Sequence, residues 1–352
     1  PTEDDLTKET AAKVCGRKLV LHEASKAAIE GYFRKKGVKP TDNNWKQAML
    51  PENGIVLENR NGTAPGVVIE TDSTRLILLP GPPGELKPMF EESVVPYLAG
   101  VNAKVICSRT VKICGVGESK AETMVKDLID GQTNPTIATY AKTGEVHIRV
   151  TAQAEDKKAA TKLLKPYVKE LKNRFGNCVY TTEEDMTLEK AVVDLLQANE
   201  LTLTCAESCT GGLLSGRIIN VPGVSETYKS GYITYSNKAK RRLLGVKKPT
   251  LQKYGAVSEN VAEEMVRGAA SAAKADVAVA VTGIAGPDGG TEEKPVGLVY
   301  IACGVKGKVT VKKYQFSGNR AKVRESAVSA ALTLLRECVL EYFSKVTFGK
   351  KE

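Results

Sequence analysis

Ser208 sits in the stretch Cys205-Ala206-Glu207-Ser208-Cys209-Thr210-Gly211-Gly212, where an apolar segment carrying Leu201 and Leu203 gives way to a helical pattern through Leu213, Leu214 and Ile218. A hydroxyl on a tight strand-to-helix turn stands clear of the sheet. The free N–H groups of the helix start lie beside it, an arrangement that suits a nucleophile whose attack builds negative charge. Gly211 and Gly212 would let a substrate approach the backbone closely. The same residues also suit a plain helix start, with Ser208 or Thr210 as N-cap. Taken alone, the turn supports both readings.

Both histidines, His22 and His147, lie well upstream of Ser208. A local Ser-His-Asp arrangement is therefore not expected, and a base for Ser208 would be a lysine, a tyrosine or a carboxylate. The segment Gly231 to Arg242 offers candidates. Tyr232, Ile233 and Tyr235 read as a strand, and Lys238, Lys240, Arg241 and Arg242 open the following helix. Lysine starts at a pKa of ~10.4 and acts as a base at neutral pH only when lowered to ~7–8, which burial and neighbouring cations favour. A solvated basic helix start is the plainer reading. Spacing alone does not choose between Lys238 and Lys240. Five residues of helix turn through about 500°, so Tyr235 and Lys240 share a site only if the chain breaks from strand to helix between them.

The elements around these residues suggest an open α/β sheet. The apolar run Val277 to Val281 predicts a buried parallel strand, and ligands of such sheets collect at the carboxyl ends of their strands. The loop Thr282 to Gly290 would therefore line the site, with glycine N–H groups offered to a phosphate or carboxylate. Ser317-Gly318-Asn319-Arg320 precedes an amphipathic helix over 321–343, with Ser317 as a candidate cap and Arg320 as a candidate anion ligand.

In order, AESCTGG, GYITYSNKAK, GAVSE, VTGIAGPDGG, EEKPVGLVYIA and FSGNR span about residues 185–345. This set resembles the C-terminal nicotinamide mononucleotide (NMN) amidase domain, also called PncC, of the CinA family. The resemblance implies hydrolysis of the NMN carboxamide to nicotinic acid mononucleotide and ammonia. By motif position, Ser208, Tyr235 and Lys240 would be catalytic. Cys209, Thr210, Gly211, Gly212, Thr282, Gly283, Gly286 and Arg320 would bind substrate. The chemistry would be acyl transfer without a cofactor, with Ser208 deprotonated through Tyr235 or directly by Lys240. Backbone N–H groups from Cys209 to Gly211 would hold the oxyanion.

The first hundred residues resemble the family's molybdopterin-binding-like domain, through Pro1-Thr2-Glu3-Asp4-Asp5-Leu6-Thr7, Asn59 to Gly66 and Leu79 to Glu85. In the family such domains cleave ADP-ribose at its pyrophosphate with a divalent metal, and Asp4 and Asp5 would be ligands, since hard cations prefer carboxylate oxygens. Both aspartates also suit a helix N-terminus. The sequence starts inside the glycine-rich turn of this motif, so half a nucleotide site and little pyrophosphatase activity are expected.

Residues 101–180 alternate strand and helix and resemble the family's KH-like α+β domain. The expected organisation is thus three α/β segments: 1–100 partial molybdopterin-binding-like, 101–180 KH-like and 181–352 amidase. The positive excess behind the formal net charge of +10 lies beyond residue 100, yet 101–180 holds no G-x-x-G loop to clamp a nucleic-acid backbone. A spacer or dimerisation role, and a homodimer, are expected ahead of nucleic-acid binding. No run of about 18 apolar residues suggests a membrane span. The eight cysteines form no C-x-x-C pair, as expected of a reducing cytoplasm. The alternatives are a pyrophosphatase acting through the first segment and a nucleic-acid-associated competence or damage-response protein.

Overall fold

Short strands bounded by Gly and Pro fill the first hundred residues, and longer alternating or wholly apolar strands fill the rest. A computed structural model, which describes residues 5–101 and 104–348, separates at that change into the units Pro1–Lys104 and Val105–Glu352.

The first unit runs α1 Thr7–Val14, β1 Leu19–Leu21, α2 Glu23–Lys35, α3 Asp42–Trp45, β2 Met49–Pro51, β3 Ile55–Leu57, β4 Gly66–Glu70, β5 Arg75–Leu78, α4 Pro83–Met89 and α5 Val95–Val101. β1 pairs with β2, and β3-β4-β5 form a second sheet; every pairing is antiparallel. Parallel strands would need crossovers of a dozen or more residues. The links among β3, β4 and β5 are too short for that. Leu57, Val68, Met89 and Val94 make a small core. The two internal motifs are bound to each other: Asn59 Nδ2 donates to Glu85 Oε2 at 2.6 Å, and Asn61 Nδ2 donates to the Gly84 carbonyl at 3.1 Å. A Cβ at Gly62 would lie 1.9 Å from Glu85 Oε2, so a larger residue there would displace the Glu85 carboxylate.

The second unit begins with β6 Val105–Cys114, α6 Glu118–Asp130, β7 Thr136–Lys142, β8 Glu145–Ala154, α7 Lys157–Phe175 and β9 Val179–Thr181. These build an antiparallel sheet in the order β7-β8-β6-β9. Val146, Ile148, Val150 and Ala152 alternate inward along β8, as a sheet with one covered face requires, and meet Val125, Leu164 and Leu171 from the helices.

It continues with α8 Leu188–Ala198, β10 Leu203–Glu207, α9 Leu213–Ile219, β11 Tyr228–Ile233, α10 Asn237–Leu244, α11 Lys248–Tyr254, α12 Glu259–Ala273, β12 Val277–Gly283, β13 Leu298–Val305, β14 Lys308–Gln315 and α13 Arg320–Phe348. The sheet order is β11-β10-β12-β13-β14. β10 is parallel to β11 and β12, but β12 is antiparallel to β13, so the sheet is mixed. Residues 284–297 form no helix that could carry a parallel crossover. Leu203, Cys205, Val277, Val279 and Val281 face α8, α9 and α13, while Ala206, Ala278, Ala280 and Ala302 face α12. Covered on both faces, β10 and β12 are buried almost throughout.

Side chains tie residues 105–181 to this second sheet within the one unit. Lys112 Nζ donates to the carbonyls of Glu184 (2.6 Å) and Met186 (2.9 Å), Arg336 donates to the Val179 carbonyl (2.8 Å), and Arg217 pairs with Glu145 at 3.1 Å.

Candidate active site

β10 ends at Glu207, and Ser208 opens a five-residue turn before α9. The N–H of Ser208 donates to the Val281 carbonyl at 3.0 Å, which fixes the residue at the carboxyl edge of the sheet. Gly211 and Gly212 have φ of +60° and +97°, a backbone that side chains disfavour and that explains both glycines.

Neither Ser208 nor Thr210 caps α9. The N-cap is Gly212, and the side chain that serves the helix start is the wholly buried Glu207. Its carboxylate accepts from the N–H groups of Gly212 (2.9 Å), Leu214 (3.1 Å) and Ser215 (2.8 Å) and from Ser215 Oγ (2.6 Å). The Tyr228 hydroxyl donates to Ser215 Oγ at 2.6 Å, and a Cβ on Gly231 would collide with both oxygens, which accounts for the glycine that opens the GYITYS motif. The α9 donors expected to face an anion are thus occupied by Glu207. Gly211 N–H donates to the Ser208 carbonyl at 3.1 Å. Among the described residues, the N–H groups of Cys209 and Thr210 have no backbone carbonyl partner, and these two remain beside Ser208.

β11 ends at Ile233, so Tyr235 lies just past the strand. Ser236 then caps α10 by accepting from the Ala239 N–H at 3.1 Å. Lys240 and Leu244, one turn apart, form the buried face of α10, and Lys238 is exposed. Lys240, 1% exposed, donates from Nζ to Ser208 Oγ at 2.9 Å, to the Thr234 carbonyl at 2.8 Å and, more weakly, to the Tyr235 carbonyl at 3.5 Å. Burial lowers its pKa to about 8. The three oxygens suit the three N–H donors of the ammonium; on loss of one proton, two N–H groups keep the carbonyls and the lone pair turns to the Ser208 hydroxyl. The adjacent Cys209 thiol is pushed by burial up to about 11, which keeps it protonated at neutral pH and unsuited to compete as nucleophile.

The remaining candidates divide. Tyr235 is exposed; its hydroxyl accepts from Arg320 Nη2 at 3.2 Å and makes no hydrogen bond to Ser208 among the described residues. Arg320 also donates to the Gly286 carbonyl at 2.8 Å, which brings the glycine loop and Tyr235 to one guanidinium. Thr282 is buried, and its hydroxyl donates to the Ala256 carbonyl at 2.8 Å, holding the GAVSE loop. A Cβ on Gly283 would lie 2.6 Å from Val299 Cγ2, so this glycine lets β13 approach β12. The cap of α13 is Asn319, which accepts from the Lys322 N–H at 3.0 Å, and not Ser317.

Two residues that the sequence reading passed over belong here. Glu207 is the first. Arg324 is the second, and its Nε donates to the Cys209 carbonyl at 3.0 Å while Nη2 donates to the Thr210 carbonyl at 2.8 Å. The available signal was its spacing of four from Arg320, which places both arginines on one helix face.

Residues 185–339 match the CinA C-terminal domain, residues 108–181 the "Damage-inducible protein CinA KH domain" and residues 1–100 the "Probable molybdopterin binding domain". The chain is 52% identical over 341 residues to a putative competence-damage inducible protein of Clostridium beijerinckii, covering 97% of this chain and 83% of that one. This chain belongs to the CinA family. A CinA-like protein of Kosmotoga olearia is 49% identical over 340 residues, covering 97% of this chain and 82% of the relative. The solved structure of a competence/damage inducible protein from Agrobacterium tumefaciens is 41% identical, covers 42% of this chain and 91% of its own, and has a TM-score of 0.42.

In this CinA chain the remaining motif residues, Asp4 and Asp5, belong to the first hundred residues of the sequence. Asp4 falls outside the described residues, and Asp5 is exposed, with Oδ1 accepting from the Thr7 N–H at 3.4 Å at the start of α1. Among the described residues no group of three or more His, Cys, Asp or Glu is placed to hold a metal. No described helix is long and apolar enough to cross a membrane.

Proposed function

We propose that the C-terminal segment is a nicotinamide-nucleotide amidohydrolase that converts NMN to nicotinic acid mononucleotide and ammonia by acyl transfer through Ser208. The observation that carries this reading is the 2.9 Å contact between Lys240 Nζ and Ser208 Oγ, made by a lysine whose burial lowers its pKa to about 8. A buried amine without a carboxylate partner is costly to charge, which makes it a base near neutral pH.

Neutral Lys240 takes the Ser208 proton as Oγ attacks the carboxamide carbon. The carbonyl oxygen becomes an oxyanion beside the N–H groups of Cys209 and Thr210. Collapse breaks the C–N bond, and Lys240 returns its proton to the leaving nitrogen, releasing ammonia. Water then adds to the nicotinoyl ester, giving its proton to Lys240, and the second collapse frees the carboxylic acid and restores Ser208. Every proton transfer passes through one nitrogen, and Tyr235 is left to orient substrate together with Arg320, whose guanidinium suits the substrate phosphate. The product acid would re-enter pyridine nucleotide recycling.

The test is incubation of the full chain with NMN while ammonia is followed. Release by the native chain and a loss of roughly 10³-fold or more in Ser208→Ala are expected, since removal of a nucleophile leaves only binding and oxyanion stabilisation. Near-normal turnover by Ser208→Ala would refute the assignment.

A further inference from the structure

The turn after Ser208 carries two consecutive glycines at positive φ, and a peptide plane in such a segment can rotate at little steric cost. An oxyanion donor must not rotate, because preorganisation is what makes it effective. Something outside the turn has to hold these planes. Glu207 holds the end of the turn at Gly212 and the start of α9. The Cys209 and Thr210 carbonyls are held instead by Arg324, from α13, more than a hundred residues away in sequence.

In a trans peptide the carbonyl and the N–H point in opposite directions. The Cys209 carbonyl and the Thr210 N–H belong to one peptide unit. By drawing that carbonyl towards α13 with a 3.0 Å bond from Nε, Arg324 directs the Thr210 N–H to the opposite side of the turn. Its second bond, 2.8 Å from Nη2 to the Thr210 carbonyl, fixes the next plane, whose own N–H is already committed to Ser208. The side chain of Thr210 is wholly buried, so the residue cannot swing to relieve the clamp. A guanidinium on a carbonyl also polarises the peptide and strengthens its N–H as a donor. We propose that Arg324 is a positioning residue for the reaction, a two-pronged clamp that aims the Thr210 N–H at the oxyanion. This rests on the acyl-transfer reading given above.

The forked guanidinium is required, because one ammonium is a point donor and does not reproduce two bonds in fixed geometry. Arg324→Gln and Arg324→Lys in the full chain should both keep cooperative thermal unfolding. With NMN, Arg324→Gln should lower kcat about 10²-fold, the usual consequence of losing one oxyanion donor. KM should stay within about threefold, because the clamp acts on the transition state. Arg324→Lys should fall between that variant and the native chain. The midpoint of the pH profile should not move, since Lys240 is untouched. A kcat within about threefold of native, or a loss confined to KM, would overturn the proposal, the latter by making Arg324 a substrate ligand.

A fluorophosphonate probe supplies a readout independent of NMN, because phosphonylation of a serine draws on the same oxyanion donors. The native chain should label, Ser208→Ala should not, and Arg324→Gln should label at least about 30-fold more slowly, in keeping with a lost oxyanion donor. Equal labelling rates for Arg324→Gln and the native chain would refute the clamp even where NMN proves not to be the substrate. A native chain that neither labels nor releases ammonia would refute the acyl-transfer reading itself, and the clamp with it.

Discussion

Asp5 and Lys240 are both charged residues marked out by motif, and the structure treats them in opposite ways. Asp5 is exposed in the first unit, with a single 3.4 Å contact from a backbone N–H. Lys240 is almost fully buried in the second, held by three oxygen atoms at a sheet edge whose strands are covered on both faces. Chemistry at neutral pH needs the second kind of environment. Desolvation lowers the lysine pKa to about 8, whereas solvent leaves an exposed carboxylate ordinary work at a helix start. A motif thus names residue types, and the surrounding packing decides whether they become reactive.

The sharpest way to break that contrast is to remove the buried charge. Lys240→Met should abolish NMN turnover by about 10³-fold or more, because base and proton donor vanish together. It should also stabilise the fold at pH 7. The folded-state pKa lies below the unfolded value of 10.5, so the penalty for the ammonium is complete below about pH 8 and disappears as pH rises past 10.5. The gain at pH 7 is up to about 3 kcal/mol, read by denaturant unfolding. A destabilised and active Lys240→Met would contradict the account on both counts.

Next in size is Glu207→Gln. One carboxylate oxygen becomes an amide that faces donors, leaving buried N–H or O–H groups of α9 unsatisfied, at a cost of about 2–3 kcal/mol. Activity should drop tenfold or more as the turn loosens; unchanged unfolding would show that the network is dispensable. Glu145→Ala should lower stability by about 2 kcal/mol, because Arg217 keeps Glu189 and Ser329 but loses its partner on β8. The effect should appear in chemical denaturation. At the small end, Lys238→Ala and Asp5→Asn should leave ammonia release within about twofold, since both side chains are exposed. A large loss from Lys238→Ala would place the base on the wrong lysine.

Much of the second unit was legible. The apolar runs of β10 and β12 and the strand-helix order of 105–175 follow from periodicity alone. The choice of Lys240 was open in the spacing, and the fold resolves it through the one-turn pairing with Leu244. Other features depend on contacts that sequence does not encode locally. Glu207 reads as a polar strand end, and only the folded turn shows its carboxylate taking four donors. Arg324 reads as an ordinary helix cation until α13 is laid against the turn. In the first unit the motifs leave strand direction open, and links this short between strands of three to five residues pair antiparallel.

The pH dependence of kcat/KM for NMN tests the central claim most directly, namely that a neutral, buried Lys240 is the base for Ser208. The profile should climb about tenfold per pH unit and level off around a midpoint near 8, the value to which burial lowers this lysine. A profile that is flat from pH 6 to 10, or whose limb has its midpoint at or above the ordinary lysine value of 10.5, would contradict it.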